Sequence, residues 1–399
     1  MKQALFLLAW IVLLGFNNQS HQMELNGWWD AELSISENKS IRFTLWVNDK
    51  KVYLVNGSEK MEMLPIRNTA NPDSIIIEHP IFDSYLVLFK ANDHIQGYFK
   101  DNSRKGDYRL PLSLKRTSNT GATPATTGFS RWQCTFDTAE KEYPAIAEFT
   151  FAQQTITGTI LTETGDYRYL AGRLLHNDSF YLSCFDGSHA FLFEGQMKDD
   201  KISGIFYSGN HWQTTWTGFK NPNATLKNGF ELTKITSNLP VQFSFKDEQN
   251  KVVSLRDSQY VQQPVVIQIM GTWCPNCLDE TNFLVELYNQ SEIKPKIIAL
   301  CFERGEDEQI QWERIKKVKK NLKVPYPMIL AGKADKKAAA KLFPFLDQIS
   351  AFPTTIFLNR NHEVVGIHTG FNGPATGERY TKQSLEFKEL IQILNSSKY

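Results

Sequence analysis

Trp273-Cys274-Pro275-Asn276-Cys277 places two cysteines two residues apart, close enough to close a disulfide within one turn and to store two electrons. The motif follows an apolar β-branched run, Val265-Val266-Ile267-Gln268-Ile269-Met270, and precedes a helical pattern from Leu278 to Tyr288. A strand, then Cys-x-x-Cys, then a helix is the context in which this spacing reads as redox chemistry. The attacking species in thiol–disulfide exchange is the thiolate, and a free cysteine with a pKa of about 8.5 is mostly protonated at neutral pH. Unpaired N–H groups and the macrodipole at a helix N-terminus favour the anion. Cys274 is therefore the expected nucleophile. Cys277, one turn further in and more buried, is the expected resolving thiol. Pro275 sets φ in the first turn, and Trp273 shields one side.

Working outward, strands and helices alternate from about Leu239. Val241 to Phe245 and Val252 to Leu255 read as an opening hairpin, and Val265 to Met270 as the central strand. Helices are expected from near Cys274 to Gln290, from Glu308 to Asn321, from Lys333 to Leu342 and from Ser384 to Leu394. Further strands fall at Ile297–Phe302, Pro327–Leu330, Thr354–Leu358 and Glu363–Ile367. This pattern predicts an α/β domain with a mixed sheet and helices on both faces. A second element, Phe352-Pro353-Thr354-Thr355, stands just before a strand.

With Gly271-Thr272-Trp273-Cys274-Pro275-Asn276-Cys277, Glu280 and Phe352-Pro353-Thr354-Thr355 in hand, residues 239–399 resemble the thioredoxin superfamily, and more closely its TlpA/ResA-like disulfide reductases. The resemblance implies a cis bond before Pro353, with Phe352, Pro353 and Thr354 shaping the substrate face. It also implies that Glu280 tunes the thiols; the other reading of Glu280 is a solvated first-turn acid. The chain departs from the classical pattern at Gln268, where thioredoxins carry a buried Asp. The redox group is the Cys274–Cys277 pair, and no separate cofactor or metal is expected. A zinc site would need a second Cys or His pair at ligand spacing, and c-type haem a His where Leu278 stands. Cys301, inside an apolar strand, reads as an inert buried thiol.

The first half is strand-rich and repeats itself. Gly27-Trp28-Trp29 and Arg131-Trp132 open two units. Phe82-Asp83 recurs as Phe185-Asp186, and Ile95-Gln96-Gly97-Tyr98-Phe99 as Ile202-Ser203-Gly204-Ile205-Phe206. Short alternating runs punctuated by turns predict an all-β antiparallel meander, barrel- or sandwich-like, with about eight strands per unit. Gly27-Trp28-Trp29 resembles the Gly-x-Trp opening of calycin barrels. The expected organisation is a signal peptide at 1–21, β unit 1 at 22–120, β unit 2 at 127–220, a linker at 221–238 and the thioredoxin-like domain at 239–399. Cys134 and Cys184 both fall in the second unit, where they read either as a structural disulfide or as two buried thiols. The aromatic residues of the repeat are first of all core.

A chain of 399 residues, 41% hydrophobic and 22% charged with net charge +1, is globular and multidomain, with no field to attract nucleic acid. The basic run Lys316-Lys317-Val318-Lys319-Lys320 reads as a solvated helix face. Met1-Lys2, an apolar run from Ala4 to Phe16 and a polar exit predict a secretory signal, with an uncleaved anchor as the lesser alternative. Together these features predict an extracytoplasmic, periplasmic protein-disulfide oxidoreductase. Its expected partners are disulfide-bearing exported proteins and a membrane or periplasmic thiol electron donor. Two other readings are a ligand- or partner-binding β repeat with an accessory thioredoxin domain, and a thiol peroxidase. The peroxidase would need Thr-x-x-Cys, and Thr272 has the wrong spacing for it.

Overall fold

The structure, a computed structural model, describes residues 23, 25–71, 73–91, 94–118, 126–138, 142–237, 241–292 and 294–396. The expected signal segment, most of the Ser118–Thr127 joint and the start of the last domain at Leu239 lie outside these residues. Among the described residues, no helix is long and apolar enough to cross a membrane.

The two repeats form two antiparallel sheets of nine strands each, one more than the alternation predicts. The first runs from Gly27–Ser36 to Arg109–Thr117, and these terminal strands pair with each other. Strict alternation sends Trp29, Ala31, Leu33 and Ile35 inward while Asp30 and Glu32 face out, the period expected of a half-buried strand. The sheet remains open, with Glu59–Glu62 and Arg67–Asn68 as its edges. The second sheet closes into a barrel, because Glu142–Ala152 pairs with Thr155–Thr162 along eight residue pairs.

One shared glycine explains why the repeat survives at that point. A Cβ on Gly97 would lie 1.9 Å from the Val87 carbonyl oxygen, and one on Gly204 would lie 2.0 Å from that of Glu194. In both units the neighbouring strand approaches too closely for any side chain.

The open sheet is completed by the closed one. Phe185, Ala190 and Leu192 of the second unit belong to the core of the first, packed with Phe43, Leu54 and Phe99. Phe185 meets Phe43 and Phe99 at ring centroid distances of 4.8 and 4.9 Å. Polar groups fix the register of this junction. Asn56 donates to the Phe185 carbonyl at 2.9 Å and accepts the Phe185 N–H at 3.1 Å, and Ser183 bridges the Arg42 carbonyl and amide. Buried backbone groups of this kind must find partners, and here two side chains supply them.

The C-terminal domain has a five-stranded sheet in the order Met328–Lys333, Lys296–Glu303, Val265–Met270, Thr354–Leu358 and Val364–Thr369. The first three strands are parallel and the last two antiparallel. Four helices flank it: α1 (Pro275–Gln290), α2 (Glu308–Asn321), α3 (Lys336–Lys341) and α4 (Glu378–Asn395). Within Val265–Met270, Val266 and Met270 face the core shared with α1, α2 and α4, while Val265, Ile267 and Ile269 face α3 and the opening hairpin. Gln268 therefore falls on the α1 side.

Cys134 and Cys184 stand as two separate buried thiols, the second of the two readings of this pair. They lie in one barrel core, but on strands (Gly128–Asp137 and Ser179–Phe185) that do not pair. The basic run on α2 also departs from expectation. Lys316, Lys319 and Lys320 are exposed, but Lys317 turns inward and donates to the Phe82 carbonyl at 2.6 Å.

Candidate functional site

Helix α1 begins where the chain leaves the central strand. Cys274 is its N-cap, with extended backbone (φ −105°, ψ 109°), and Pro275 occupies the first turn. The Cys274 Sγ accepts the Cys277 N–H at 3.3 Å, so the sulfur satisfies one of the helix's orphan donors. The Cys274 thiol donates to the Phe352 carbonyl at 3.5 Å, and the Phe352–Pro353 bond is cis. The structure thus brings the two sequence motifs, 78 residues apart, into contact.

The two cysteines have different surroundings. Cys274 retains 7% of its exposure and Cys277 none. Burial, followed by the neighbouring Cys274 sulfur, pushes the Cys277 thiol well above its ordinary range. It therefore ionises only with help.

A buried acid stands next to it. Glu280, one helical turn beyond Cys277, is fully buried and is not a solvated first-turn acid. Thr355 Oγ1 donates to it at 2.6 Å and Gln268 Nε2 at 2.9 Å. Gln268 also donates to the Cys277 carbonyl at 3.3 Å and to Thr281 Oγ1 at 3.1 Å. Burial pushes the Glu280 carboxyl up to about 7, against the lowering effect of those two hydrogen bonds. A buried acid titrating near neutrality beside a thiol pair has the properties of a proton carrier. Thr355 and Gln268 complete this network. The sequence motif points to Thr354, and Gln268 stands out in it only for not being an acid. The signal was present, since alternation along Val265–Met270 puts position 268 against α1. Thr354 instead packs inside, donating to the Ala351 carbonyl at 2.8 Å.

Trp273 packs beside Cys274. Its indole N–H donates to the Phe302 carbonyl at 2.9 Å, its ring stands edge-on to Phe352 at 5.8 Å, and the Arg304 guanidinium lies 4.2 Å over it. Thr272 holds the turn below, its N–H and hydroxyl donating to the buried Glu303 at 2.8 and 2.6 Å.

The β units reach into this site, which no single motif predicted. Phe82 of the first unit is buried in the same core as Cys274, Cys277 and Leu278. Ser188 of the second unit donates to the Trp273 carbonyl at 3.3 Å. Asn276, between the two cysteines, donates to the Phe371 carbonyl at 3.0 Å, where Gly165 of the barrel forms a bridge. Arg168, buried in the second unit, pairs with Glu59 of the first at 2.6 Å and with Asp279 of α1 at 2.8 Å. Burial disfavours the Arg168 charge, but Asp279, Glu59 and Asp186 outweigh it and hold the guanidinium cationic. Among the described residues, no group of three His, Cys, Asp or Glu side chains is placed to hold a metal.

Residues 234–383 match the Redoxin family. This segment is the part of the chain that is similar to that family. It contains the Cys274–Cys277 helix start, the Glu280 network and the Phe352–Pro353 turn, so the chain carries a thioredoxin-fold redox domain behind a double β unit. No curated protein matches this sequence significantly. Among solved structures, a thiol:disulfide interchange protein of Chlorobium tepidum TLS is 16% identical, covering 40% of this chain and 99% of its own, with a TM-score of 0.31. A DsbF homologue from Corynebacterium diphtheriae is 19% identical over 44% of this chain and 98% of its own, TM-score 0.31. A thioredoxin-like protein from Porphyromonas gingivalis is 20% identical over 39% and 94%, TM-score 0.29.

Proposed function

We propose that this protein is an exported thiol–disulfide oxidoreductase that reduces disulfides of exported proteins. The observation carrying this reading is the asymmetric thiol pair: Cys274 caps α1 and keeps a sliver of exposure, 7%, while Cys277 lies fully buried behind it. The Cys274 thiolate attacks one sulfur of a substrate disulfide. A Cys274–substrate bond forms, and the other substrate sulfur leaves as a thiolate that takes up a proton. Cys277, having given up its proton, attacks the Cys274 sulfur. The second substrate thiol is released, and the Cys274–Cys277 disulfide holds the two electrons' oxidation. A thiol donor at the membrane or in the periplasm returns the pair to its reduced form. Glu280, one turn beyond Cys277 and ionised above about pH 7, takes up the Cys277 proton. The export reading rests on Met1-Lys2 and the apolar run Ala4–Phe16.

The decisive experiment uses the full chain. Cys274→Ser should abolish turnover of a disulfide substrate. Cys277→Ser should accumulate mixed disulfides on Cys274, visible by non-reducing electrophoresis and mass spectrometry. Failure to form any adduct would count against this mechanism. A Cys274–Cys277 potential below the glutathione couple supports the reducing direction; a potential well above it would make the protein an oxidant.

A further inference from the structure

One cation beside Cys274 lacks an acceptor. Arg304 follows the strand Lys296–Glu303, and its guanidinium lies on the Trp273 ring. Among the described residues it makes no hydrogen bond or ion pair through its side chain; only its carbonyl is used, accepting from Arg314 at 2.9 Å. The nearby carboxylates are committed elsewhere. Both Glu303 oxygens are taken by Thr272. Asp101 accepts from Ser103 and from Arg104 Nε, the latter at 3.1 Å.

A second cation reaches the same turn, because Ser188, whose hydroxyl donates to the Trp273 carbonyl at 3.3 Å, also holds Arg104. Arg104, from the first β unit, is anchored by Asp101, by the Ser188 carbonyl at 3.3 Å and by a His211 ring nitrogen at 3.1 Å. His211 is held neutral, since burial and then Arg104 bring it down to about 4, so it offers an acceptor and no opposing charge. Burial, followed by Arg104, lowers the Arg304 pKa, and Asp101, Cys274 and Glu303 offset this only in part. A half-buried guanidinium set against another cation is costly unless an anion joins it.

We infer that Arg304 and Arg104 form an anion subsite beside Cys274 that takes a carboxylate of the disulfide substrate. Arg304 meets it from the Redoxin domain and Arg104 from the β unit, so the repeat takes part in choosing the substrate. The planar donor fork of arginine suits a carboxylate. The inference rests on the disulfide-exchange reading above. The carboxylate comes either from Asp or Glu side chains flanking a cystine in a peptide or from a small disulfide such as oxidised glutathione.

The test compares kcat/KM for two disulfide-bridged peptides identical except for Glu or Gln beside the cystine, and for oxidised glutathione against its neutral ester. Wild type should favour the acidic member of a pair. Arg304→Gln should reduce that preference about tenfold, the worth of one charge-assisted hydrogen bond, with Arg304→Lys intermediate. The preference should also fall with salt. Preference for the Glu peptide alone points to protein side chains, and preference for glutathione alone to the small disulfide; either supports the subsite. Equal rates for both members of each pair in wild type would overturn it. So would an Arg304→Gln effect wholly explained by a changed Cys274 ionisation, followed as the pH dependence of iodoacetamide labelling. Turnover of none of the four substrates would overturn the exchange reading itself.

Discussion

At the scale of single residues, the chemistry depends on keeping two nearby groups unlike. Cys274 gives its sulfur to a helix N-terminus, while Cys277 and Glu280 are buried and both resist ionisation. The folded-state pKa of Glu280, about 7, lies above its ordinary 4.5. Its raised value favours the native state at low pH, and that contribution is lost as pH rises through about 7. Glu280→Gln should therefore be more stable than wild type at pH 8, by roughly 1–3 kcal/mol, and nearly equal to it at pH 4.5, as urea denaturation would measure. The same variant should lose the rise in kcat/KM centred near pH 7. Retention of that limb would assign the titration to another group.

At the scale of elements, the turn between two strands of the first β unit acts as a plug on the Redoxin domain. His79 Nδ1 accepts the N–H groups of Ile81 and Phe82 at 3.1 and 2.9 Å, and its ring stacks on Phe82 at 4.6 Å. Burial, above all, drives His79 down to about 3, so the ring is neutral and Nδ1 is free to accept. Helix α2 then clasps the turn: Arg314 reaches Asp83 at 2.9 Å, Lys317 the Phe82 carbonyl and Asn321 the Pro80 carbonyl at 2.6 Å. Phe82→Ala should cost about 3–5 kcal/mol, the usual penalty for emptying a buried aromatic site, and should raise the alkylation rate of Cys277. A loss under 1 kcal/mol with unchanged labelling would show that the turn does not seal the thiols.

At the scale of the whole molecule, Arg168 joins three parts of the chain through Glu59, Asp186 and Asp279. Asp279 lies two residues beyond Cys277, so the clamp holds the helix that carries the redox pair. Burial lifts the Asp279 carboxyl to about 7, more than Arg168 offsets. Arg168→Met would leave buried carboxylates with no counter-charge, an expected loss of about 3–5 kcal/mol at pH 8. The deficit should shrink at pH 5, where the orphaned acids take up protons. A deficit that grows on acidification would rule out this account.

How much of this was legible beforehand varied with the range of the interaction. The Cys-x-x-Cys start, the five strands around it and the Phe352–Pro353 turn were readable because each is a local pattern of period, cap or turn. Gln268 and Glu280 were half-readable: their positions follow from strand and helix periods, but the hydrogen bonds that join them to Thr355 do not. The difference between an open and a closed β unit was not readable, since both alternate in the same way. Closure depends on whether one pair of strands meets, and in the first unit the neighbouring barrel fills that role with Phe185 and Leu192.

By itself the sequence determined a duplicated β region, an α/β domain and two cysteines placed at the start of its first helix, because periodicity and helix capping act over a few residues. Only the tertiary structure decided that Phe82, Ser188, Arg104 and Arg168 surround those sulfurs. Such contacts join residues more than 80 positions apart, and they form only where burial, charge pairing and the closing of one sheet by another agree on a single arrangement.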